Sequence, residues 1–291
     1  MRTPGASPAT PYLFLLPFFV AFAAFWIIPI VASFAFSFTS WSGLTEAEFV
    51  GLANYRQLLG DRTFWRAMTN TFLYVFVYNA IMLPLATVIA LVLDSGFKRI
   101  APAFRTAYFI PVTVSLVVVA LVFDLLFNRE FGPVNDVLGM LGIGANPNWL
   151  NSSTYAPWTI VIMRVWRATG YYSAFIFAGL QSIPRELIEA ARIDGASEIQ
   201  VFRRIIVPTI RGSLITVATT IFIVILKVFD IVFVTTGGRF GSDVIANRMF
   251  QELVRFRNPG LASALAVVLL VAVVPVMVIN VRNLRRQGVG S

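Results

Sequence analysis

Long uncharged apolar runs separated by short polar stretches dominate the chain, without the strict alternation of half-buried strands. A helix crossing a hydrocarbon layer of about 30 Å needs roughly 20 residues at a rise of about 1.5 Å each. Six stretches reach that length, approximately 13–38, 69–93, 107–127, 157–180, 213–234 and 261–281. The pattern predicts an all-α membrane protein with six transmembrane helices. One membrane domain is expected over 13–282, with tails at 1–12 and 283–291, no soluble domain and no internal repeat. The first run has no charge between Arg2 and Glu46, far longer than a secretion-signal core, so it is expected to stay as a helix kinked at Pro17 and Pro29.

Composition agrees: 58% of the 291 residues are hydrophobic and 13% are charged, against roughly 25% charged in an ordinary soluble domain. There is no Cys and no His, which removes thiol nucleophiles, imidazole acid–base catalysis and thiolate or imidazole metal sites. No metal site and no enzymatic activity are expected; an intramembrane enzyme would need an unusual carboxylate or Ser–Lys site. The net charge of +9 has no soluble basic face to serve nucleic acid. Loop charge explains it better, because six spans put both termini on one side, and the loops on that side carry 12 Lys and Arg against 8 on the other. Both termini are therefore expected in the cytoplasm.

The segment 181–212, between the fourth and fifth runs, is too elaborate to be a plain connector. It predicts two short helices, one from Pro184 to Ile193 and one capped by Ser197, with a bend at Gly195 and another at Pro208. Small and apolar residues on one face and Glu186, Glu189, Asp194 and Glu198 on the other suit docking; an amphipathic connector lying on lipid headgroups is the alternative.

Within the membrane runs, Arg164 and Arg167 lie roughly 10–15 Å inside the outer boundary, where a charge costs at least about 2.5–3.5 kcal/mol and favours a watery or protein-lined cavity. Arg164, Arg167, Ala168 and Tyr171 share one helical face. Guanidinium donors, with Tyr171 or Tyr172 to stack on a pyranose, would make that face a sugar surface. Lys227 and Asp230, at i and i+3 on the fifth run, form either a structural ion pair or part of the same pathway. Asp124 falls near the outer boundary as an interfacial carboxylate. Neither Lys98 nor Lys227 follows Gly, so no P-loop exists, and energy for transport would come from another subunit or from an ion gradient. A gradient-driven carrier or channel for a small polar solute is thus the rival reading.

The residues Glu189-Ala190-Ala191, then Gly195, then Ile205-Ile206-Val207-Pro208 resemble, in spacing over 20 positions, the EAA loop of ABC importer permeases, with Val207 replacing the usual Leu. The resemblance continues through Gly51-Leu52-Ala53-Asn54-Tyr55, Leu180-Gln181-Ser182-Ile183-Pro184 and Thr235-Thr236-Gly237-Gly238, which look like the carbohydrate-uptake branch, maltose and α-glucoside type. Arg239 departs from the Pro that many sugar permeases carry after the Gly pair. The resemblance implies a type I ABC importer permease fold with a cytoplasmic coupling helix, in which Glu189, Ala190, Ala191, Asp194, Gly195 and Pro208 belong to the ATPase-coupling loop. It implies a second homologous permease, two cytoplasmic ATP-binding subunits that hold the ATP and Mg, and an extracytoplasmic sugar-binding protein. Carried over position by position, it places Arg164, Arg167, Ala168, Tyr171 and Lys227, with Val112 and Leu116 of the third run, along the sugar pathway.

Overall fold

The computed structural model describes residues 10–44, 46–94, 101–143 and 146–288. Arg2, Lys98 and Arg99 of the charge comparison, and most of the expected N-terminal tail, lie outside them. In chain order, α1 (Thr10–Phe22) passes through a π turn (Ala23–Ile27) into α2 (Ile28–Phe36). A ribbon of β1 (Thr39–Ser40) and β2 (Glu48–Phe49) and a short α3 (Ala53–Gly60) precede α4 (Arg62–Asp94). There follow α5 (Ala101–Thr113), α6 (Leu116–Leu126), α7 (Pro133–Met140), α8 (Ala156–Leu180), α9 (Arg185–Ile193) and α10 (Glu198–Val201). A second π turn (Phe202–Ile206) leads into α11 (Val207–Thr209), then α12 (Arg211–Leu226), α13 (Asp230–Thr235), α14 (Ile245–Phe250) and α15 (Pro259–Gly288).

These two π turns share one cause. Ile28 N–H reaches back to Ala23 O and Val207 N–H to Phe202 O, widening the helix immediately before Pro29 and Pro208, which have no N–H to give. The expected irregularity in the first run therefore falls ahead of Pro29, whereas Pro17 sits inside α1.

Among the described residues, four helical stretches are long and apolar enough to cross a bilayer: Tyr12–Phe36, Arg62–Asp94, Arg211–Thr235 and Pro259–Val278. A fifth candidate is a pair, Thr106–Thr113 with Leu116–Leu126, bent by 109°. This corrects the expectation of one helix over 107–127. α8 has the length, 25 residues, but with Arg164 and Arg167 along it falls outside the set that composition alone selects. α15 runs on to Gly288, so the helix takes in most of the stretch expected as a C-terminal tail.

The chain forms two compact units, residues up to Asp61 with Met249–Val268, and Arg62–Arg248 with the chain from Leu269 on. In the first, Asn54 Nδ2 donates to the carbonyls of Ser37 and Thr39, both at 2.9 Å, and Tyr55 OH bonds Ser37 Oγ at 2.7 Å, so α3 clasps the end of α2. In the second, α8 packs against α4, α5 and α12, while α6 packs against α13. Its centre is apolar and closed, with Tyr78 and Met82 of α4, Ile160, Met163 and Ile176 of α8, and Ile221 and Ile225 of α12 all buried. Because lipid is as apolar as these side chains, close packing more than water exclusion holds such helices together.

Candidate functional site

The third and fifth runs are both interrupted, and the membrane charges gather at the interruptions. Between α5 and α6, Ser115 adopts an extended conformation (φ −59°, ψ 141°) that ends one helix and starts the next. The last carbonyls of α5 then lack helical partners, which a low-dielectric setting makes costly. Arg167 supplies them: its Nε donates to Val114 O at 2.9 Å and its Nη2 to Val112 O at 3.4 Å. A cation is also favoured at the negative end of a helix dipole.

α12 stops at Leu226, Lys227 (φ −99°, ψ 18°) caps it, and Phe229 (φ −139°, ψ −59°) redirects the chain so that Asp230 opens α13. Lys227 and Asp230 thus belong to two helices instead of one continuous face. Among the described residues no ion pair joins them, and both are exposed. Each nevertheless has the sign its helix end prefers, a cation at the C-terminal end of α12 and an anion at the N-terminal end of α13.

Arg164 is different. Tyr78 OH donates to its backbone carbonyl at 3.2 Å, but its own Nε is buried with no hydrogen-bond partner. The charges of Arg167 and Asp230 and the phenols of Tyr78 and Tyr172 lie within electrostatic reach. The four residues expected on one face of α8 therefore do unlike things: Arg167 is spent on backbone, Arg164 is unspent, Ala168 packs on the core, and Tyr171 is exposed beside Phe175 at 5.0 Å between ring centroids. Tyr172 is buried in the core, which removes it as a stacking surface. Val112 meets Arg167 through its carbonyl, and Leu116, first residue of α6, is half-buried against the core.

At the other functional region the expected two helices are present as α9 and α10. Gly195 turns the chain at φ +83°, a conformation that costs any residue with a Cβ. Ser197 forms a full capping box, accepting from Gln200 N at 3.3 Å while its own N–H donates to Gln200 Oε1 at 2.8 Å. Across the turn, Arg192 grips Glu198 with two bonds of 2.8 and 3.0 Å. That grip holds the Glu198 carboxyl below its ordinary range and raises Arg192. Glu189, Ala190, Asp194, Gly195 and Pro208 are exposed and Ala191 is half-buried; Ile193 is 86% exposed.

A third cluster carried little sequence signal. The loop after α13 is fastened to α4: Asn70 Nδ2 donates to the carbonyls of Gly241 and Asp243 at 2.8 and 2.9 Å, and Thr71 Oγ1 accepts from Ile245 N at 3.1 Å. Asp243 accepts from Asn247 Nδ2 at 2.6 Å, and burial pushes its carboxyl above the usual range. Polar Asn70 at the edge of an apolar run was the available hint.

Apolar helices of bilayer length, two of them broken with charge at the breaks, define a membrane-embedded helical bundle. The chain belongs to the binding-protein-dependent transport system inner membrane component family, which it matches over residues 83–287. It is 34% identical over 293 residues to an alpha-glucoside transport system permease protein of Rhizobium meliloti, covering 98% of this chain and 85% of that one. It is 32% identical to a trehalose/maltose transport system permease protein of Thermococcus litoralis, covering 93% of this chain and 92% of that one. The fold is similar to a chain in the crystal structure of a bacterial alginate ABC transporter in complex with an alginate pentasaccharide-bound periplasmic protein, with a TM-score of 0.83 and 21% identity, covering 95% of this chain and 94% of that one. The fold is that of a type I ABC importer permease.

Proposed function

We propose that this chain is one permease subunit of an ATP-driven, binding-protein-dependent sugar importer, for an oligosaccharide of α-glucoside type such as maltose, trehalose or a sucrose-like sugar. The observation that carries the reading is an exposed elbow, α9 to α10, bearing the EAA spacing in a chain of this family. Names of relatives similar over nearly the whole chain supply the sugar class.

In this reading α8 and the two broken runs complete six spans in the inner membrane, with both termini and the elbow in the cytoplasm. Two ATP-binding subunits hold ATP and Mg, and a cleft on one of them takes up Glu189, Ala190, Ala191, Asp194 and Gly195, with Pro208 fixing the direction in which the elbow leaves. A second homologous permease completes the pore, and an extracytoplasmic binding protein delivers the sugar. ATP-driven closure moves the elbow, and the bundle exchanges inward-facing for outward-facing access between two packed arrangements. Arg164, Tyr171, Lys227 and Asp230 face the pathway, where Arg164 donates to sugar hydroxyls; Arg167, Val112, Leu116 and Ala168 shape it.

The test is to purify the chain with its co-isolating subunits, reconstitute them in vesicles, and screen sugar-loaded binding proteins for stimulated ATP hydrolysis coupled to uptake. Stimulation by an α-glucoside-loaded receptor is the expected result. Uptake driven by an ion gradient with no ATPase present would establish the rival carrier.

A further inference from the structure

The loop between α6 and α8 holds an apolar surface that neither the elbow nor the pathway uses. Phe131, Val137, Met140, Leu141 and Ile143 are all exposed, Met140 by 85%. Val137 and Met140 of α7 and Leu141, which ends it with its N–H on Val137 O, stand at i, i+3 and i+4 and so share one face. On the far side of the helix Asn135 points inward, accepting from Trp149 Nε1 at 2.8 Å while donating to Asn146 Oδ1 at 2.7 Å, and Val134 and Leu138, between the two sides, are half-buried. α7 is therefore a small amphipathic helix pinned by its polar side, with its apolar side uncovered.

Its depth is fixed at both ends by the ends of spanning helices. Gly132, just before α7, lies against the backbone of Asn128 and the carbonyl of Leu126, so close that any Cβ would collide with them. The chain thus doubles back onto the last turn of α6 instead of rising away from it. At the other end, Trp149 is tied to the first turn of α8, where Thr159 Oγ1 donates to Trp149 O at 3.1 Å. Phe127, Trp149 and Tyr155 form a ring cluster there, with centroids 5.1 and 5.7 Å apart. Aromatic residues at span ends mark the boundary between hydrocarbon and water. A helix bracketed by two such ends sits at headgroup height.

We propose that α7 is a lipid-contacting interfacial helix, its Val137–Met140–Leu141 face immersed in the leaflet into which α6 and α8 emerge. The occupant follows from depth and from charge. Arg129, exposed at the end of α6, is the nearest basic residue and none occurs from residue 130 to 163, so the contact made by α7 itself is apolar. Asp136, beside the apolar face, stays toward water. The helix would act as a float that holds the α6–α8 connection at constant height while the spans tilt. This rests on the membrane location alone, and it would stand if the sugar or the energy source differed.

The absence of cysteine makes single-site labelling clean. Nitroxide labels at Met140→Cys and Leu141→Cys, and at exposed Asn151→Cys as reference, are placed in the assembled transporter in phosphatidylcholine vesicles. Collisions with oxygen and with a water-soluble nickel chelate are then compared. The expected result is an oxygen-to-nickel accessibility ratio several-fold higher at 140 and 141 than at 151, unchanged when phosphatidylglycerol is added. Two results overturn the proposal. One is nickel access at 140 and 141 equal to that at 151. The other is loss of both oxygen and nickel access when sugar-loaded binding protein is added, which would make this face a protein-docking surface.

Discussion

The broken membrane runs and the exposed α9–α10 elbow solve opposite problems with the same residue types. At the α5–α6 break, Arg167 turns toward α5 and satisfies backbone carbonyls left without helical partners. At the elbow, Arg192 turns along the surface to Glu198 and leaves α9 exposed, with Ile193 uncovered at its end. A half-buried guanidinium that serves the backbone is architectural and hard to replace. An exposed ion pair in water contributes little to stability, so in the proposed reading the elbow matters through what docks on it. The two regions should therefore fail differently: damage at the break should show in the stability of the bundle, and damage at the elbow in transport alone.

The largest effect is expected at the elbow. Gly195→Asp places a Cβ at a positive φ, costing roughly 1–2 kcal/mol locally, and adds a charge beside Asp194 on the proposed docking face. Glu189→Lys reverses a charge on exposed α9. Both variants should lose uptake completely while sugar affinity of the external receptor and thermal stability of the isolated permease stay near wild type. Normal uptake in both would remove the coupling role; loss of folding would erase the contrast between the regions.

Arg167→Ala should do the reverse. Leaving the carbonyls of Val112 and Val114 unpaired should cost about 1–3 kcal/mol, read as a lowered midpoint of thermal unfolding of the purified complex. Among the described residues the Lys227 side chain has no hydrogen-bond or ion-pair partner, so Lys227→Ala should change uptake rate or sugar selectivity without that loss of stability. Equal stability losses in both variants would mean that both charges are architectural.

How much of this was legible in the sequence depends on which physical signal each feature leaves. The unbroken spans show because length and apolarity set them, and the elbow because Ser197, Gly195 and Pro208 are local conformational signals. The α5–α6 break had Pro111 as a hint, but the α12–α13 break holds no Gly or Pro. Its redirecting Phe229 goes with the packing of α13 against α6, a contact between residues about a hundred positions apart. Pairing Lys227 with Asp230 failed for the same reason, since i and i+3 are neighbours only on one unbroken helix. Arg167 could be placed inside the membrane from the sequence, but its use as a cap on α5 could not, because the orphaned carbonyls exist only once the break does.

The smallest effect sharpens the contrast most, because it separates the shape of the elbow from its chemistry. If the Arg192–Glu198 grip only sets the angle between α9 and α10, its direction is irrelevant and the exchange Arg192→Glu with Glu198→Arg should restore what either single change loses, a decrease in uptake of a few-fold at most. The pH dependence gives a second reading of the same pair. Because Arg192 holds the Glu198 carboxyl below its ordinary range, the grip contributes fully above the unfolded carboxylate value of about 4.3 and is lost as pH falls through the lower folded value. Uptake and ATP hydrolysis should therefore keep the same coupling ratio across the neutral range, with Glu198→Gln displaced from wild type by a constant factor there. If that factor changed between pH 6 and pH 8, a group other than Glu198 would be setting the elbow angle. If the exchanged pair failed to recover, Arg192 or Glu198 would touch the docked subunit directly, and the elbow would resemble the α5–α6 break in having a charge committed to one particular partner.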